Sequence, residues 1–318
     1  MPQVSVIVPC FNVADHLTQT LLSLRRNTAP GIEFIIIDDG SSDATAEILA
    51  AQLDSLPGAR LITSPRNVGL SAARNLGLEA ASGEYITFLD GDDFYAAGYL
   101  LELSGAIRRL GCDVLRTDHV RVHGRKRTVH RINHGPRGVV MRPRDAILPV
   151  HRPTSVDAPN AWAGIYHRRL ADAGLLHFAE NLRTCEDRPW NWRLHLKVDS
   201  FAVVGLLGVF YRRNVATSLT QLVDERQFDF LAAHDQIVAL VSADPDADRL
   251  LPKAVRSYCA IICHHLSRSE RYSAPLAARL RARSAQSLNN LPDQTMRTVL
   301  ASVDDRRRAV LIGLLDPA

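Results

Sequence analysis

Residues 85–93 have the sequence YITFLDGDD, an apolar run that ends in three carboxylates around one glycine. A β-strand that leads directly into clustered carboxylates is unfavourable by itself, because like charges raise each other's cost of ionisation. A divalent cation shared with phosphate oxygens would offset this repulsion, since Mg²⁺ and Mn²⁺ prefer hard oxygen ligands. The alternative is an ordinary solvated Asp-Gly turn.

A second acidic turn follows an earlier apolar run. Residues 34–37 read FIII, and residues 38–43 read DDGSSD. Near-continuous apolar runs are typical of parallel strands that are buried on both faces. Ligands of open α/β sheets bind beyond the carboxyl ends of such strands. We therefore predict a single site that contains both acidic turns.

Strand and helix patterns alternate along the first half of the chain, which predicts an α/β fold with a mostly parallel sheet flanked by helices. The predicted strands are 4–9, 33–37, 60–63, 85–89, 113–122, 161–166 and 201–212, with a hairpin within 125–144. The predicted helices are 14–26, 43–53, 69–81, 99–110, 169–173 and 186–196. Beyond residue 220 the pattern is helical only, which indicates two domains, 1–220 and 221–318.

The composition, net charge and cysteine content restrict the kind of protein that this chain can be. The 318 residues are 46% hydrophobic, enough for a full core, and a net charge of +4 suits an anionic ligand without arguing for nucleic acid. The five cysteines form neither a disulfide framework nor a CxxC pair, which favours a reducing compartment. No apolar run reaches the roughly 20 residues needed to span a bilayer. We expect a cytoplasmic protein, and peripheral contact with the inner face of a membrane stays open.

Four stretches in order resemble the family 2 glycosyltransferases. They are VSVIVPCFN at 4–12, IDDGSSD at 37–43, NVGLSAARN at 67–75 and DGDD at 90–93. The resemblance implies a GT-A fold, a UDP-sugar donor and a divalent metal, Mn²⁺ or Mg²⁺. Glu186 and Asp187, with Arg193, extend the resemblance to about residue 215, whereas the helical region resembles nothing that we can assign.

The resemblance also implies roles for single residues. An acceptor-only carboxylate at Asp39 suits the N3–H of uracil, and the guanidinium of Arg74 suits phosphate oxygens. Asp92 is the implied metal ligand, with Asp90 as a second candidate near the ribose, while Asp93 is either an orienting residue or a helix cap. The implied nucleotide-sugar site consists of Pro9, Phe11, Asn12, Asp39, Asn67, Arg74, Asp90, Gly91 and Asp92.

Residues 184–190, TCEDRPW, place two acids at the start of a helix, where the dipole favours ionised carboxylates. The pair would also be an ordinary N-cap, but the resemblance assigns the general base to Asp187, with Glu186 and Arg188 in support. A base that deprotonates the acceptor hydroxyl implies one-step inversion. Candidate contacts to the acceptor or the diphosphate are Trp162, His177, Trp190, Arg212 and Arg213, although tryptophans in this region also suit a core.

The acceptor is less defined than the donor. The basic segment 125–144 suits a glycan or an anionic wall polymer, and it equally suits a solvated surface. The helical region could bind acceptor, contact a membrane surface or form a homo-oligomer. Two other functions stay open: a nucleotide-sugar-binding module without turnover, and a sugar nucleotidyltransferase, which would usually carry a glycine-rich, lysine-bearing loop where residues 9–12 read PCFN.

Overall fold

The computed structural model describes residues 3–213 and 223–315, and the predicted domain boundary at 220 lies outside them. The strands are β1 (Val4–Cys10), β2 (Ile32–Asp38), β3 (Ala59–Thr63), β4 (Tyr85–Phe88), β5 (Phe94–Tyr95), β6 (Val114–Thr117), β7 (His119–His123), β8 (Lys126–His130), β9 (Gly164–His167), β10 (Phe201–Val204) and β11 (Val209–Arg212). The helices are α1 (Ala14–Arg25), α2 (Thr45–Gln52), α3 (Leu70–Ala80), α4 (Tyr99–Leu110), α5 (Arg169–Asp172), α6 (Asp187–Lys197), α7 (Asp229–Ser242), α8 (Ala247–Leu266), α9 (Ala274–Asn289), α10 (Asp293–Ser302) and α11 (Asp305–Leu315).

The central sheet has the strand order β10-β6-β9-β4-β1-β2-β3. Strands β1 to β4 are parallel, β10 is parallel to β6, and β9 is antiparallel to both of its neighbours. Every residue of β1 and β2 is buried, as expected for strands covered by helices on both faces. The predicted α/β class with a mostly parallel sheet is confirmed.

Helix α3 lies close against this sheet because of Gly77. A Cβ at that position would lie 2.3 Å from Cγ2 of Ile7 on β1, so only glycine permits the observed separation. The short separation places the start of α3, with its polar residues, beside the carboxyl end of β1. The sheet edge that was predicted to hold the site is thereby bordered by a helix.

The register brings both acidic turns to the end of β1. Cys10, its last residue, lies opposite Asp38 on β2, and its carbonyl accepts a hydrogen bond from the backbone N–H of Asp39 at 2.9 Å. On the other side, the backbone N–H of Gly91 donates to the carbonyl of Pro9 at 3.1 Å. The two turns that were predicted to share a site are therefore neighbours.

Two segments that were each predicted to form one strand form two strands in the structure, so these two predictions were wrong. The segment 113–122 forms β6 in the central sheet and β7 in a second sheet of order β5-β11-β7-β8, with buried Asp118 between them. Likewise 201–212 divides into β10 and β11 at a bend where Gly208 lies against the ring of Tyr99.

The hairpin pairs β7 with β8 and so begins before the predicted 125. Strand β5 was missed because a two-residue strand exists only through its pairing with β11. Helix α10 was missed as well.

The region 223–315 contains helices α7 to α11, and it packs against the α/β part through ion pairs and apolar contacts. Lys253 on α8 is buried and pairs with Asp157 at 2.6 Å. Arg144 pairs with Asp244 at 2.7 Å. Trp192 on α6 is among the α/β residues that share a core cluster with α7 and α8. The packing places the C-terminal end of α8 close to the start of α6.

Candidate active site

A cavity of about 950 Å³ lies at the carboxyl ends of β1, β2 and β4. Its walls include the two acidic turns, the start of α6, part of the β7–β8 hairpin and the end of α8. It is large enough for a nucleotide and a sugar, since small-molecule sites commonly occupy about 300–1,000 Å³. Its polar groups therefore decide what it can bind.

Asp39 is held rigidly in the turn after β2. Its carboxylate accepts hydrogen bonds from the backbone N–H groups of Val68 at 2.7 Å and Gly69 at 2.9 Å, and from Nδ2 of Asn67 at 2.9 Å. Burial raises the pKa of Asp39, although these hydrogen bonds oppose the rise. A carboxylate offers about four acceptor positions, so one remains for a ligand.

Asn12 supports the same turn from the other side. Its backbone is left-handed (φ 52°), and its Oδ1 accepts from the backbone N–H groups of Ser42 at 2.8 Å and Asp43 at 3.3 Å. The side chain is thus engaged in holding the β2 loop. Asn12 is not among the residues that line the cavity, and its predicted ligand contact stays a prediction.

The turn after β4 brings several carboxylates together. Asp92 lines the cavity, and burial, together with the charge of Asp90, raises the pKa of Asp92 to about 6. Gly91 has no room for a side chain, since a Cβ there would lie 2.9 Å from the carbonyl oxygen of Pro9. Asp93 is fully buried and accepts from the backbone N–H of Arg212 at 2.7 Å, which makes it an orienting residue. The turn therefore presents Asp90 and Asp92 to the cavity.

Arg74 on α3 connects this turn with α6. Its Nη2 donates to Asp90 at 2.8 Å, its Nη1 donates to Glu186 at 2.7 Å, and the side chain is 3% exposed. Arg74 thus holds the two acidic segments at a defined separation. It also lines the cavity, and its predicted contact with base or phosphate stays a prediction.

Asp187 begins α6 and lines the cavity beside Glu186. Burial raises the pKa of Asp187, and Arg188 and Arg74 act against that rise. Burial likewise raises the pKa of Glu186, with Asp187 contributing. The preceding residue, Cys185, has a left-handed backbone (φ 62°), which turns the chain abruptly into the helix. Asp187 is therefore an accessible carboxylate with raised proton affinity.

The donor set in the cavity fits a divalent metal that also binds phosphate. Within residues 3–213 and 223–315, no three His, Cys, Asp or Glu side chains converge closely enough to hold a metal ion by themselves. Metals that bridge phosphates typically use one or two protein carboxylates, and the cavity lining contains two neighbouring ones, Asp92 and Asp90. Their mutual repulsion, seen in the raised pKa of Asp92, is what a cation would relieve.

Most of the predicted site residues come together here. The cavity is lined by Pro9, Phe11, Asp39, Asn67, Arg74, Asp90, Gly91, Asp92, Trp162, Glu186, Asp187, Arg188 and Arg213.

Three predicted contacts belong elsewhere in the structure. Trp190 is 1% exposed and donates from Nε1 to the carbonyl of Leu176 at 2.8 Å, so it is a core residue. His177 pairs with Glu79 at 3.0 Å outside the cavity lining. Arg212 donates to the backbone carbonyl of Asp92 and supports the acidic turn from behind. Each of these side chains is bound by protein groups that the sequence pattern did not reveal.

The lining also contains basic residues that were not predicted as site residues. Arg121 and His130 come from the hairpin, and Arg131 follows it. His264, His265, Arg268 and Arg271 come from the end of α8 and the turn after it. His130 and Arg131 carried a signal, since they lie in the segment 125–144 that was recognised as basic, whereas Arg121 precedes that segment. The residues after α8 carried none, because only the packing of the helical region brings them to the cavity.

Comparisons with known proteins agree with this geometry. The sequence profile of a family described as "Glycosyl transferase family 2" matches residues 5–168. The uncharacterized glycosyltransferase EpsJ of Bacillus subtilis is 30% identical over 223 residues, which cover 70% of this chain and 64% of EpsJ, just under two thirds. The protein MT1568 of Mycobacterium tuberculosis is 30% identical over 274 residues, 82% of this chain and 81% of that protein.

Among solved structures, Staphylococcus aureus TarS 1-349 in complex with UDP-GlcNAc is similar with a TM-score of 0.74 at 19% identity. The match covers 98% of this chain and 91% of that one. It confirms the expected GT-A fold and includes the C-terminal helices. In the part of the chain that the structure describes, none of the helices has the length and hydrophobicity needed to cross a bilayer.

Proposed function

This chain belongs to glycosyltransferase family 2, and we propose that it is an inverting, metal-dependent enzyme that transfers a hexosyl or N-acetylhexosaminyl group from a UDP-sugar. The acceptor is a hydroxyl of a glycan or a cell-envelope polymer. The observation that carries the proposal is that Asp92 and Asp187 line one cavity, joined through Asp90, Arg74 and Glu186.

The turn after β2 supports binding of the nucleotide. One acceptor position of the Asp39 carboxylate remains available, which suits the N3–H of uracil. Pro9 and Phe11 lie on the same side of the cavity, and Phe11 is 42% exposed, so its ring is available to a base. The structure of TarS with UDP-GlcNAc supports UDP-sugars as the first donors to test.

The turn after β4 supports binding of the diphosphate. Asp92, with Asp90 as a second ligand, would hold Mn²⁺ or Mg²⁺, and the bound ion would neutralise charge on the departing diphosphate as a Lewis acid. Arg74 keeps Asp90 in place, and the buried Asp93 fixes the backbone of the turn through Arg212. These residues thus position the leaving group.

The start of α6 supports the proton transfer. As the acceptor oxygen forms a bond to the anomeric carbon, the bond from that carbon to the phosphate oxygen breaks, and UDP departs with the electron pair. The proton of the acceptor hydroxyl passes to Asp187. The raised pKa of Asp187 suits this step, since a more basic carboxylate accepts a proton more readily. Direct displacement inverts the configuration at the anomeric carbon.

The test separates binding from turnover. Thermal stabilisation by a panel of UDP-sugars with Mn²⁺ identifies the donor, since a ligand that binds only the folded state raises its stability. UDP release is then measured with water or a supplied sugar as acceptor. We expect Asp187→Asn to keep donor binding and lose about 10²- to 10⁴-fold in turnover, the range typical of a lost general base.

A matched control is Asp172→Asn, which removes one carboxylate from the exposed end of α5. Turnover by Asp187→Asn at the level of this control would assign the base elsewhere. Donor binding without turnover in the wild type, across all sugars and acceptors tested, would instead favour a binding module that does not catalyse transfer.

A further inference from the structure

The helical region forms one wall of the cavity that holds Asp187. Ile261, His264 and His265 come from the last turns of α8, and Arg268, Arg271 and Tyr272 follow the helix. They line the same continuous space as residues of the two acidic turns. A ligand that reaches Asp187 from outside is therefore exposed to this wall.

Three arginines give this wall its charge. Arg188, Arg268 and Arg271, which we call the basic wall, all line the cavity, and among the described residues none of them forms an ion pair with a carboxylate. Nearby cations of the same region are paired, as Lys253 is with Asp157 at 2.6 Å and Arg226 with Asp224 at 2.6 Å. Arg268 and Arg271 thus bring unpaired positive charge to the cavity, and Arg188 adds a cation whose charge acts on the adjacent Asp187.

The two histidines add hydrogen-bonding groups rather than charge. Burial first, and then His264 and the three arginines, lower the pKa of His265 to about 4, so its ring is neutral near pH 7. Burial and Arg268 lower the pKa of His264 in the same direction. His264, His265, Arg188, Arg268 and Arg271 all line the same cavity, and the charges of the three arginines act on His265.

Local structure explains only part of this cluster. Cations near the C-terminal end of α8 are stabilised by the helix dipole. Arg188, in contrast, lies in the first turn of α6, where the dipole disfavours a cation. The dipole therefore does not explain why Arg188 lies near the end of α8, whereas an anion bound between them would stabilise all three cations.

We propose that the basic wall binds an anionic group, phosphate or carboxylate, on the acceptor, and that the acceptor is therefore an acidic oligosaccharide or polyol polymer. This inference rests on the proposed function, because it concerns the substrate that Asp187 would deprotonate. It assigns the helical region to acceptor binding. The arginine fork suits both phosphate and carboxylate oxygens, so the two sources must be separated by experiment.

The test uses the full chain saturated with UDP and Mn²⁺, and three probes of similar length. These are an oligo(glycerol phosphate), an oligogalacturonate and a neutral malto-oligosaccharide, with affinities measured by calorimetry. The variant is Arg268→Gln with Arg271→Gln, two exposed positions where folding should be unaffected. The matched control is Arg297→Gln with Arg306→Gln, which removes the same charge from exposed positions on α10 and α11.

We expect the wild type to bind at least one anionic oligomer more tightly than the neutral one. The wall variant should bind it about tenfold or more weakly, since charge-assisted arginine contacts are the stronger class of hydrogen bond, while the control and the affinity for UDP stay unchanged. The stronger of the two anionic probes identifies the group.

Equal binding of the anionic probe by the wall variant and the wild type would overturn the inference. So would a loss of UDP affinity in the wall variant, which would assign these arginines to the donor diphosphate, or an absence of preference for anionic over neutral probes. Binding of anionic vesicles in place of oligomers, lost in the wall variant, would likewise replace the acceptor by a membrane surface. Failure of the wild type to bind UDP at all is a different result, and it would refute the proposed function.

Discussion

Replacing Asp92 by asparagine should make the metal-free protein more stable while removing its metal-dependent binding of UDP. Burial and the charge of Asp90 raise the pKa of Asp92 from the ordinary 3.8 to about 6. The folded state therefore binds this proton more tightly than the unfolded chain does. As a result, wild-type stability falls as pH rises from about 4 to about 6 and stays low above that.

The magnitude follows from the same values. Each pKa unit corresponds to about 1.36 kcal/mol, so a rise from 3.8 to about 6 corresponds to at most about 3 kcal/mol above pH 7. Solvent in the open cavity screens part of this penalty, which leaves about 1–3 kcal/mol. Asparagine has nearly the same shape and cannot ionise, so Asp92→Asn should recover that amount at pH 8 and almost none at pH 4.

The assay is urea unfolding in the presence of a chelator at pH 4, 6 and 8, which yields the free energy of unfolding by linear extrapolation. Asp43→Asn is a control of opposite sign. The Asp43 carboxylate accepts from the backbone N–H groups of Ala14 at 3.1 Å and Thr45 at 3.0 Å, and its pKa is lowered by hydrogen bonds in that loop. Its loss should therefore destabilise the protein at pH 8.

Addition of Mn²⁺ and UDP should reverse the order of the two proteins. Ligand at 1,000 times its dissociation constant stabilises a folded protein by about 4.1 kcal/mol, which exceeds the expected difference, and only the wild type should gain this. An Asp92→Asn variant that is less stable than the wild type at pH 8 in chelator, or a difference that is the same at pH 4 and pH 8, would refute the reasoning about Asp92.

Two further substitutions test the supports of the site, and a third serves as a control. Arg74→Met should lower the free energy of unfolding by about 3–5 kcal/mol, because two largely buried carboxylates lose their common partner; a loss below about 1 kcal/mol in urea unfolding would show that the pairing matters little. Gly77→Ala should destabilise by about 1–3 kcal/mol, since overlap with Ile7 at 2.3 Å outweighs the roughly 1 kcal/mol gain in helix propensity. Gly105→Ala on α4 should instead raise the melting temperature, because its Cβ would meet only the flexible end of an arginine side chain; equal responses of the two glycine variants would contradict this explanation.

Local sequence was sufficient for the parts of the fold that repeat a simple pattern. The apolar runs at β1, β2 and β4 and the amphipathic helices between them predicted a mostly parallel sheet, and the polar turns after β2 and β4 predicted where the site lies. Elements defined by tertiary contacts were missed. Strand β5 exists through its pairing with β11, and the break between β6 and β7 depends on Asp118 accepting from the backbone N–H of Ile132.

The sequence predicted where charged and aromatic residues lie more reliably than which groups their side chains contact. Arg74 and Trp190 both belong to motifs that suggested ligand contact, yet the guanidinium of the first joins two carboxylates and the indole of the second packs in the core. A side chain binds whichever partner the fold brings near, and that partner lies more than 100 residues away in the case of Arg74 and Glu186.

The amino-acid sequence by itself determined the α/β class, the acidic edge of the sheet and the family, because hydrophobic periodicity and short ordered motifs are properties of neighbouring residues. Only the tertiary structure decided that Asp92 and Asp187 share a cavity, that Arg74 connects their segments, and that arginines after α8 form a wall beside them. These are relations between distant segments, and they depend on how helices pack and on which charges become buried together.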